Sequence, residues 1–319
     1  MSILAQKVYS IFDGGKSSKG LPALCLDLLS DQKEAWLELR EGYGLLEAVR
    51  EREVPCRGFT VRLQHNPGRI KSSLAVVRKE YGAERPCFLC LDHLPDGQKG
   101  VLYRNEYLIL CNPMPVFPSH FTVSNLEHDR QAIAEHIEPF LRLATDFSSD
   151  WVVLYNGPRC GASAPDHLHF QVVPSGQMPI EKDIREKKRL LLMTEMDNVF
   201  LYRVRDLGRE VILLEGNDLM AVENAFKNYL NELKKALLVD EEPMINMAGW
   251  YEEKQWCLVI FPRRKHRPDT FFRQGEERLV VSPGVIDMGG ILITPVEKDF
   301  ERLDRALVES IYGEVSLML

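Results

Sequence analysis

The sequence predicts an α+β fold in which antiparallel strands and helices build two similar halves of one chain. Short runs of β-branched and aromatic residues alternate with turn residues, as in antiparallel sheets. Longer stretches with apolar residues at helical spacing are inserted between these runs. The order of the segments in the first half recurs in the second, and 319 residues suffice for two domains or one duplicated domain.

The first predicted element is an amphipathic helix from about Asp31 to Arg50. The apolar side chains that recur at helical spacing are Trp36, Leu37, Leu39, Leu45 and Val49. Residues 1–58, which contain this helix, are expected to form an N-terminal helical extension.

The first half is expected to span residues 59–180 and to carry the active site. Its predicted strands are Phe59–Leu63, Leu102–Cys111, Phe121–Val123, Trp151–Tyr155 and His167–Val173. One helix, Gln131–Phe147, is inserted before the last two strands.

The second half, residues 181–319, begins with the charged segment Glu181–Arg189. It continues with predicted strands Val199–Val204 and Glu210–Leu214, a helix Asp218–Leu238, and a hairpin of Met244–Trp250 with Trp256–Phe261. This layout repeats the first half without its pair of histidines. We therefore expect a degenerate repeat that closes over the ligand of the first half.

The composition excludes several classes of protein. A hydrophobic content of 45% and a charged content of 27% are typical of globular proteins, and no apolar run approaches the roughly 20 residues of a membrane helix. The net charge of −7 argues against general nucleic-acid binding. Seven scattered cysteines and no signal-peptide pattern favour a reducing compartment, so a cytoplasmic location is expected; the oligomeric state stays open.

The most informative motif lies within Ser163–Val173. It places His167, His169 and Gln171 at positions i, i+2 and i+4, so that all three point to one face of a strand. A neutral imidazole is a good nucleophile toward phosphorus, and a neighbouring amide can donate to a phosphate oxygen. Two half-buried structural histidines would show the same spacing.

The loop before this strand favours a function over that structural alternative. It is rich in small residues, whose backbone N–H groups could approach a phosphate closely. Its candidate phosphate-binding residues are Asn156, Arg159, Gly161 and Ser163.

A second motif, Cys87-Phe-Leu-Cys90, suggests a zinc site with mixed sulfur and nitrogen ligands. A redox pair is the alternative, but such pairs occur in a thioredoxin-like βαβ setting, whereas prolines and charged residues here indicate a loop.

Together these motifs resemble the histidine-triad superfamily in its transferase branch, where the last position of the His-x-His-x-(His/Gln) pattern is Gln, as Gln171 is. The cysteine region resembles galactose-1-phosphate uridylyltransferases. That resemblance implies a structural zinc ion bound by Cys87, Cys90, His128 and His167. His120 is the next candidate ligand and His93 the third.

Two further segments narrow the resemblance. Residues 281–300 are similar to the C-terminal segment of GDP-hexose phosphorylases, including the plant GDP-L-galactose enzymes. Residues 61–73 are similar to these enzymes and to diadenosine tetraphosphate phosphorylases. The resemblance covers about residues 59–304 and implies two histidine-triad-like halves. The plant enzymes lack the apparent zinc ligands, so the nucleotide base and the sugar stay open.

Basic residues complete the candidate site. Arg69 and Lys71 follow an Asn-Pro-Gly turn and could bind phosphate, as could Lys265 in the basic run of residues 263–267. A solvated strand end would look the same. Asp287 is a candidate for sugar hydroxyls, although a turn carboxylate is as good an interpretation.

The resemblance implies a nucleotidyltransferase in which His169 is the nucleophile and Gln171 stabilises charge on the phosphoryl oxygens. The expected substrates are a nucleotide sugar or a dinucleotide together with inorganic phosphate, and phosphorolysis of a nucleoside diphosphate hexose is favoured. The alternatives are a hexose-1-phosphate uridylyltransferase, a dinucleoside polyphosphate phosphorylase, and a catalytically silent zinc-stabilised nucleotide-binding protein. A hydrolase is disfavoured because Gln171 cannot donate a proton as an acid.

Overall fold

The computed structural model describes residues 2–14, 19–74 and 86–318, which form fourteen strands and ten α-helices. The strands are β1 (Val8–Phe12), β2 (Arg50–Pro55), β3 (Thr60–His65), β4 (Gly100–Tyr103), β5 (Tyr107–Cys111), β6 (Phe121–Asn125), β7 (Trp151–Asn156), β8 (His169–Pro174), β9 (Leu190–Met196), β10 (Val199–Val204), β11 (Ile212–Gly216), β12 (Ile245–Glu252), β13 (Gln255–Pro262) and β14 (Ile291–Thr294). The helices are α1 (Ile3–Lys7), α2 (Leu21–Ala35), α3 (Leu37–Gly44), α4 (Ile70–Leu74), α5 (Ile137–Phe147), α6 (Pro179–Glu186), α7 (Leu219–Leu237), α8 (Val285–Met288), α9 (Glu297–Arg302) and α10 (Arg305–Val315).

Eleven of these strands form one continuous sheet in the order β1-β4-β5-β6-β8-β7-β12-β13-β11-β10-β9. Every pair in it is antiparallel except β1 with β4. A smaller sheet has the order β14-β3-β2, and its β14–β3 pair is parallel. The mixed α+β class with antiparallel sheets, predicted from the sequence, is confirmed.

The large sheet is built from two halves with the same strand order. In the first half, β4, β5 and β6 form a meander, α5 follows, and the β7–β8 hairpin returns so that β8 pairs with β6. In the second half, β9 to β11, α7 and the β12–β13 hairpin repeat this path, and β13 pairs with β11. The halves meet where β7 pairs with β12. The predicted duplication is therefore confirmed.

The two corresponding helices are amphipathic. Helix α5 buries a stripe that includes Ile137, Phe140 and Ala144, spaced three and four residues apart. Helix α7 begins at Asp218, whose side chain accepts a hydrogen bond from the backbone N–H of Ala221 at 2.8 Å and so caps the first turn. No described helix combines the length and the apolar character that a bilayer-spanning segment requires.

Two hydrophobic cores lie on opposite faces of the large sheet. The core on one face includes side chains of α2, α3, α5 and α7, and the core on the other includes the small sheet with α6, α8 and α10. Side chains of a strand alternate between faces, so Phe170 and Val172 of β8 enter the first core and Val173 enters the second. His169 and Gln171 therefore face the small sheet.

The N-terminal part differs from the prediction. The helix expected over Asp31–Arg50 is interrupted at Trp36, which is extended (φ −119°, ψ 106°) and buried. The helical structure begins ten residues earlier, at Leu21, and Arg50 starts a strand. Tertiary packing of the indole overrides the local helical pattern here. Residues 1–58 thus contain β1 and β2 as well as helices.

Smaller differences occur elsewhere. The run predicted as one strand over Leu102–Cys111 is a hairpin, because Arg104 and Asn105 adopt left-handed turn conformations. The inserted helix begins at Ile137 rather than Gln131, and His167 precedes the strand that starts at His169. The charged segment after residue 180 lies largely in α6.

Candidate active site and metal centre

His169 is held as a neutral imidazole. It is the first residue of β8, lies opposite Ser124 of β6, and is 4% exposed. Its Nδ1–H donates to the carbonyl oxygen of His167 at 2.8 Å, which leaves the lone pair on Nε2. Burial lowers the pKa of His169 to about 4, and no described residue hydrogen-bonds its Nε2. This nitrogen can act as a nucleophile at neutral pH.

Gln131 fixes the backbone of His169, a role that no sequence motif predicts. The N–H of His169 donates to Gln131 Oε1 at 2.8 Å, while Gln131 Nε2 donates to the carbonyl oxygens of His169 and Asn156 at 3.0 and 2.9 Å. The buried carboxamide thus bridges β7 and β8 where the two strands diverge. A polar residue before a helix has no periodic signal that would predict such a contact.

His120 orients the carboxamide of Gln171. The backbone N–H of Val116 donates to His120 Nδ1 at 3.2 Å, so the ring proton resides on Nε2. His120 Nε2–H then donates to Gln171 Oε1 at 2.8 Å, which assigns the amide oxygen to this side. The NH₂ group of Gln171 is left as a donor. His120, the second candidate metal ligand, has this positioning role instead.

A second carboxamide, that of Asn156, is oriented in the same way. Its Oδ1 accepts hydrogen bonds from the backbone N–H of Val285 at 2.8 Å and from Asn246 Nδ2 at 2.7 Å. The orientation of the Asn246 amide is fixed in turn by Arg263, whose guanidinium donates to Asn246 Oδ1. This orientation leaves the NH₂ group of Asn156 as a donor.

The loop after Asn156 packs closely against the segment that begins α8. Gly161 has φ +114°, and a Cβ atom there would lie 3.0 Å from the Cα of Gly284 and 3.3 Å from Asn156 Oδ1. Glycine is needed at this position for both reasons. Ser163 is exposed, and Arg159 is turned toward the second half, where Nη2 donates to the carbonyl oxygen of Glu242 at 3.1 Å.

The predicted basic residues have different surroundings. Arg69 lies beside His120 and Asp287, and its Nη1 donates to the carbonyl oxygen of Met114 at 2.8 Å. Lys71 belongs to α4, but its side chain lies outside the described residues. Lys265 forms ion pairs at 2.6 and 2.8 Å that already balance its charge; its partners are Asp269 and Glu314.

Asp287 and Arg263, the first residue of the basic run, hold neighbouring backbone groups in place. Asp287 accepts hydrogen bonds from the backbone N–H groups of Gly284 and Ile293, both at 2.9 Å, so each oxygen of this candidate sugar-binding residue already has a partner within the protein. Burial raises the pKa of Asp287 to about 6. Arg263 is 2% exposed and donates to several carbonyl oxygens, including that of Pro283 at 2.9 Å.

The four predicted metal ligands come together beside His169. The ligand atoms of Cys87, Cys90, His128 and His167 lie within 4.8 Å of one another and could hold a metal ion. Cys87 Sγ is 3.3 Å and Cys90 Sγ 3.7 Å from His167 Nδ1, whereas His128 Nδ1 is 3.2 Å from Cys90 Sγ and 3.3 Å from His167 Nδ1.

Neighbouring groups orient these histidines. His167 Nε2 lies 2.9 Å from the carbonyl oxygen of Asn125. Because a carbonyl oxygen can only accept, the ring proton is on Nε2, and the lone pair of Nδ1 points into the cluster. His128 Nε2 is 3.8 Å from Asp166 Oδ2. His93, the third candidate ligand, lies outside the cluster, and its Nδ1 is 2.9 Å from the carbonyl oxygen of Cys87.

The cysteines differ in acidity. Burial raises the pKa of Cys87, but the interaction with His167 and hydrogen bonds from backbone N–H groups outweigh this and lower it to about 6. The pKa of Cys90 is raised to about 11, by burial and by the nearby Cys87. At least one thiolate, the form that binds metals, is therefore favoured at neutral pH.

The second half has a cysteine at the position that corresponds to His169. His169 pairs with Ser124 in the β8–β6 register, and the corresponding pair in β13–β11 is Cys257 with Glu215. Burial raises the pKa of Cys257 to about 12, so its thiol stays protonated and unreactive. The expectation of a degenerate second repeat is supported by this exchange of side chains.

We predict that His120 and Gln171 contribute to the free energy of unfolding as a coupled pair. His120→Phe should lower the free energy of unfolding by about 1–3 kcal/mol, because it leaves Gln171 Oε1 and the Val116 N–H without a partner. In a double-mutant cycle with Gln171→Met, measured by urea unfolding, the combined loss should be smaller than the sum of the single losses. Additive losses would contradict the contact.

We also predict a pH dependence of stability from His120. Burial lowers its pKa to about 4, from about 6.5 in the unfolded chain. The unfolded state therefore binds the proton first, and wild-type stability falls with a slope of up to about 1.4 kcal/mol per pH unit between these values as the pH decreases. His120→Phe should lack this part of the slope, so its deficit relative to wild type should narrow toward pH ~4.5. A deficit that is constant with pH would refute the assignment.

Comparisons with known proteins give two kinds of match. Residues 28–174 match the family model described as "Domain of unknown function (DUF4922)". A comparison with curated proteins found no match.

Solved structures of one enzyme share the fold. The yeast Ap4A phosphorylase Apa2 in complex with AMP is 14% identical, with a TM-score of 0.59 over 92% of this chain and 96% of that chain. The same enzyme in complex with Ap4A is 15% identical, with a TM-score of 0.56 over 90% and 97%. The histidine-triad-like fold that the sequence motifs implied, including the likeness to diadenosine tetraphosphate phosphorylases, is therefore confirmed as a fold.

Proposed function

We propose that this protein is a nucleotidyltransferase that forms a covalent nucleotidyl intermediate on His169 Nε2. The observation that carries the proposal is the state of this imidazole, which is neutral, buried and fixed through Nδ1 so that its lone pair is on Nε2. A general acid or base would need a pKa near the working pH, whereas a nucleophile needs to be unprotonated.

The reaction has two displacement steps. In the first, Nε2 attacks the α-phosphorus of a nucleotide donor; a P–N bond forms, the P–O bond to the leaving group breaks, and the leaving group departs as a phosphate ester. In the second, an oxygen of inorganic phosphate attacks the same phosphorus, the P–N bond breaks, and a nucleoside diphosphate is released. His169 returns to its neutral form, so the chain acts as a phosphorylase.

The carboxamides of Gln171 and Asn156 are suited to stabilise the transferring group. Both have their oxygens occupied by fixed donors, so each presents an NH₂ group that needs no reorientation during the reaction. Neither can donate a proton as an acid, which favours transfer between phosphates over hydrolysis. The backbone of the Gly161 loop, Ser163 and the charge of Arg69 would contribute to binding of the phosphates.

The donor is a nucleoside diphosphate hexose or a dinucleoside polyphosphate. The sequence motifs favour the hexose, through their resemblance to GDP-hexose phosphorylases. The fold favours the dinucleotide, because Apa2 was solved with Ap4A and the likeness extends over nearly the whole of both chains. With a hexose 1-phosphate as the acceptor, the same intermediate would give a uridylyltransferase-type reaction.

We propose further that zinc occupies the Cys87–Cys90–His128–His167 cluster. In a tetrahedral zinc site with ordinary bond lengths, sulfur and nitrogen ligands lie about 3.5 Å apart and two nitrogens about 3.3 Å apart. The observed S···N distances of 3.2–3.7 Å and the N···N distance of 3.3 Å fit these edges. Four protein ligands leave no open position, so the ion would join the cysteine loop to the start of β8 without taking part in the chemistry.

We predict that His169→Ala loses turnover by at least about 10³-fold while the fold is retained. Purified protein would be incubated with nucleoside diphosphate hexoses and dinucleoside polyphosphates, with and without inorganic phosphate, and the products resolved by mass spectrometry. Phosphate-dependent release of a nucleoside diphosphate, together with a nucleotidyl adduct on the wild-type chain, is expected. His93→Ala is the matched control and should be fully active.

The donor that reacts would decide between the two substrate classes. Turnover that survives in His169→Ala would refute the mechanism. Absence of any His169-dependent turnover, with phosphate or hexose 1-phosphate as the acceptor, would instead favour the catalytically silent nucleotide-binding protein.

We predict one zinc ion per chain in the wild-type protein, measured by elemental analysis after dialysis. Cys87→Ser and His128→Ala should each lower the zinc content to well below one and lower the melting temperature, because a closed four-ligand site loses a bond. His93→Ala, which lies outside the cluster, should retain the metal. Full zinc content in both ligand variants would rule out this set.

A further inference from the structure

The loop that carries Gln131 lies between β6 and α5 and belongs to neither. Its residues 126–136 form no helix or strand, so their buried backbone groups depend on partners elsewhere. Gln131 is 1% exposed and contacts both the N–H and the carbonyl oxygen of His169. Contacts that fix this loop therefore also fix the backbone of His169.

The loop is anchored on both sides of Gln131. On one side, the carbonyl oxygen of Asp129 accepts the N–H of Leu168 at 2.7 Å, which is a contact within the first half. On the other side, the N–H of Ile133, a fully buried residue, donates to Glu242 Oε2 at 2.7 Å. Glu242 lies in the segment between α7 and β12, so the second half supplies this anchor.

Glu242 is itself held in place by the protein around it. Its Oε1 accepts a hydrogen bond at 2.6 Å from the hydroxyl of Tyr155, a buried residue of β7. Its carbonyl oxygen accepts a hydrogen bond from Arg159 Nη2 at 3.1 Å. Pro243, the next residue, disfavours helical backbone conformations at Glu242. The carboxylate is therefore a fixed acceptor for the loop.

We propose that Glu242 is a positioning residue for His169. It holds the loop of Gln131, and Gln131 holds the backbone of His169 where Nε2 can attack phosphorus. The inference rests on the proposed function for its effect on the reaction. It gives the second half, which has a cysteine at the position corresponding to His169, a part in placing the nucleophile of the first.

Glu242 acts on His169 rather than on the amides that are proposed to bind phosphate. The backbone of Asn156, which Gln131 also contacts, is fixed independently by the pairing of β7 with β12 at Asn246. The Asn156 side chain is oriented by groups other than Glu242. A weakened anchor should therefore displace the nucleophile and leave binding of the donor nearly unchanged.

The test compares two substitutions of similar size. Glu242→Met removes the acceptor, whereas Glu242→Gln keeps an oxygen that can accept the Ile133 N–H. In single-turnover experiments, Glu242→Met should form the nucleotidyl adduct about 10–100-fold more slowly than wild type, because small displacements of a reacting group have effects of this size. The rate of Glu242→Gln, and the half-saturating donor concentration of both variants, should stay within about threefold of wild type.

A double-mutant cycle shows whether Glu242 acts through Gln131. Gln131→Met should slow adduct formation at least as much as Glu242→Met, and the double variant should be no slower than Gln131→Met alone. The matched control is Asp218→Ala, which removes the cap of α7 in the same half. It should lower the melting temperature and leave the rate unchanged.

A measurement without turnover separates this inference from the proposed function. Amide hydrogen exchange of His169, whose N–H donates to Gln131, should be faster in Glu242→Met than in wild type, relative to the amides of β11 in the same sample. In Glu242→Gln it should be close to wild type. If no donor reacts with the wild-type chain, the proposed function fails and this exchange decides the inference.

Three results would overturn the proposal. They are a wild-type rate in Glu242→Met, losses that multiply in the cycle with Gln131→Met, and a slowing by Asp218→Ala equal to that by Glu242→Met. Unchanged hydrogen exchange at His169 in Glu242→Met would do the same. If Glu242→Met does not fold, Glu242→Ala, in which water can reach the Ile133 N–H, takes its place in each comparison.

Discussion

His167 joins the two parts of the candidate site, and most of the local geometry depends on it. Its Nδ1 faces Cys87 and Cys90, while its carbonyl oxygen accepts the Nδ1 proton of His169. One residue therefore connects the cysteine loop to the tautomer of His169. A distortion of the cluster would be transmitted through a single peptide unit to the His169 ring.

The remainder of the site is built from neutral amides whose orientation is set by groups that can only donate. The backbone N–H of Val116 acts through His120 on Gln171, and the guanidinium of Arg263 acts through Asn246 on Asn156. Buried networks of this kind are favourable only when each member is satisfied. They leave two NH₂ groups as fixed dipoles, which would not have to rotate during the proposed transfer reaction.

The sequence was sufficient for those parts of the fold and site that have local signals. Most strands of the large sheet and the helices α5 and α7 have a sequence pattern, and the candidate metal ligands and His169 lie in motifs. Gln131 and the link from Arg263 to Asn156 are contacts between distant residues of ordinary type, without a pattern. Trp36 shows the other limit, since its burial interrupts a helix that the local spacing predicts. The sequence singles out His120 as a candidate metal ligand. Only its surroundings in the fold show that it orients the carboxamide of Gln171 instead.

The parallel pairing of β3 with β14 has a consequence for the order in which the protein is made. Residues 62–65 have their partners at residues 291–294, more than two hundred positions later in the chain. The segment that follows β3 carries Arg69, and the segment before β14 supplies the Val285 N–H that orients Asn156. A nascent chain on the ribosome could form the first-half strands and the cysteine loop before these partners exist. This wall of the candidate site therefore closes only after residues 285–294 have been made.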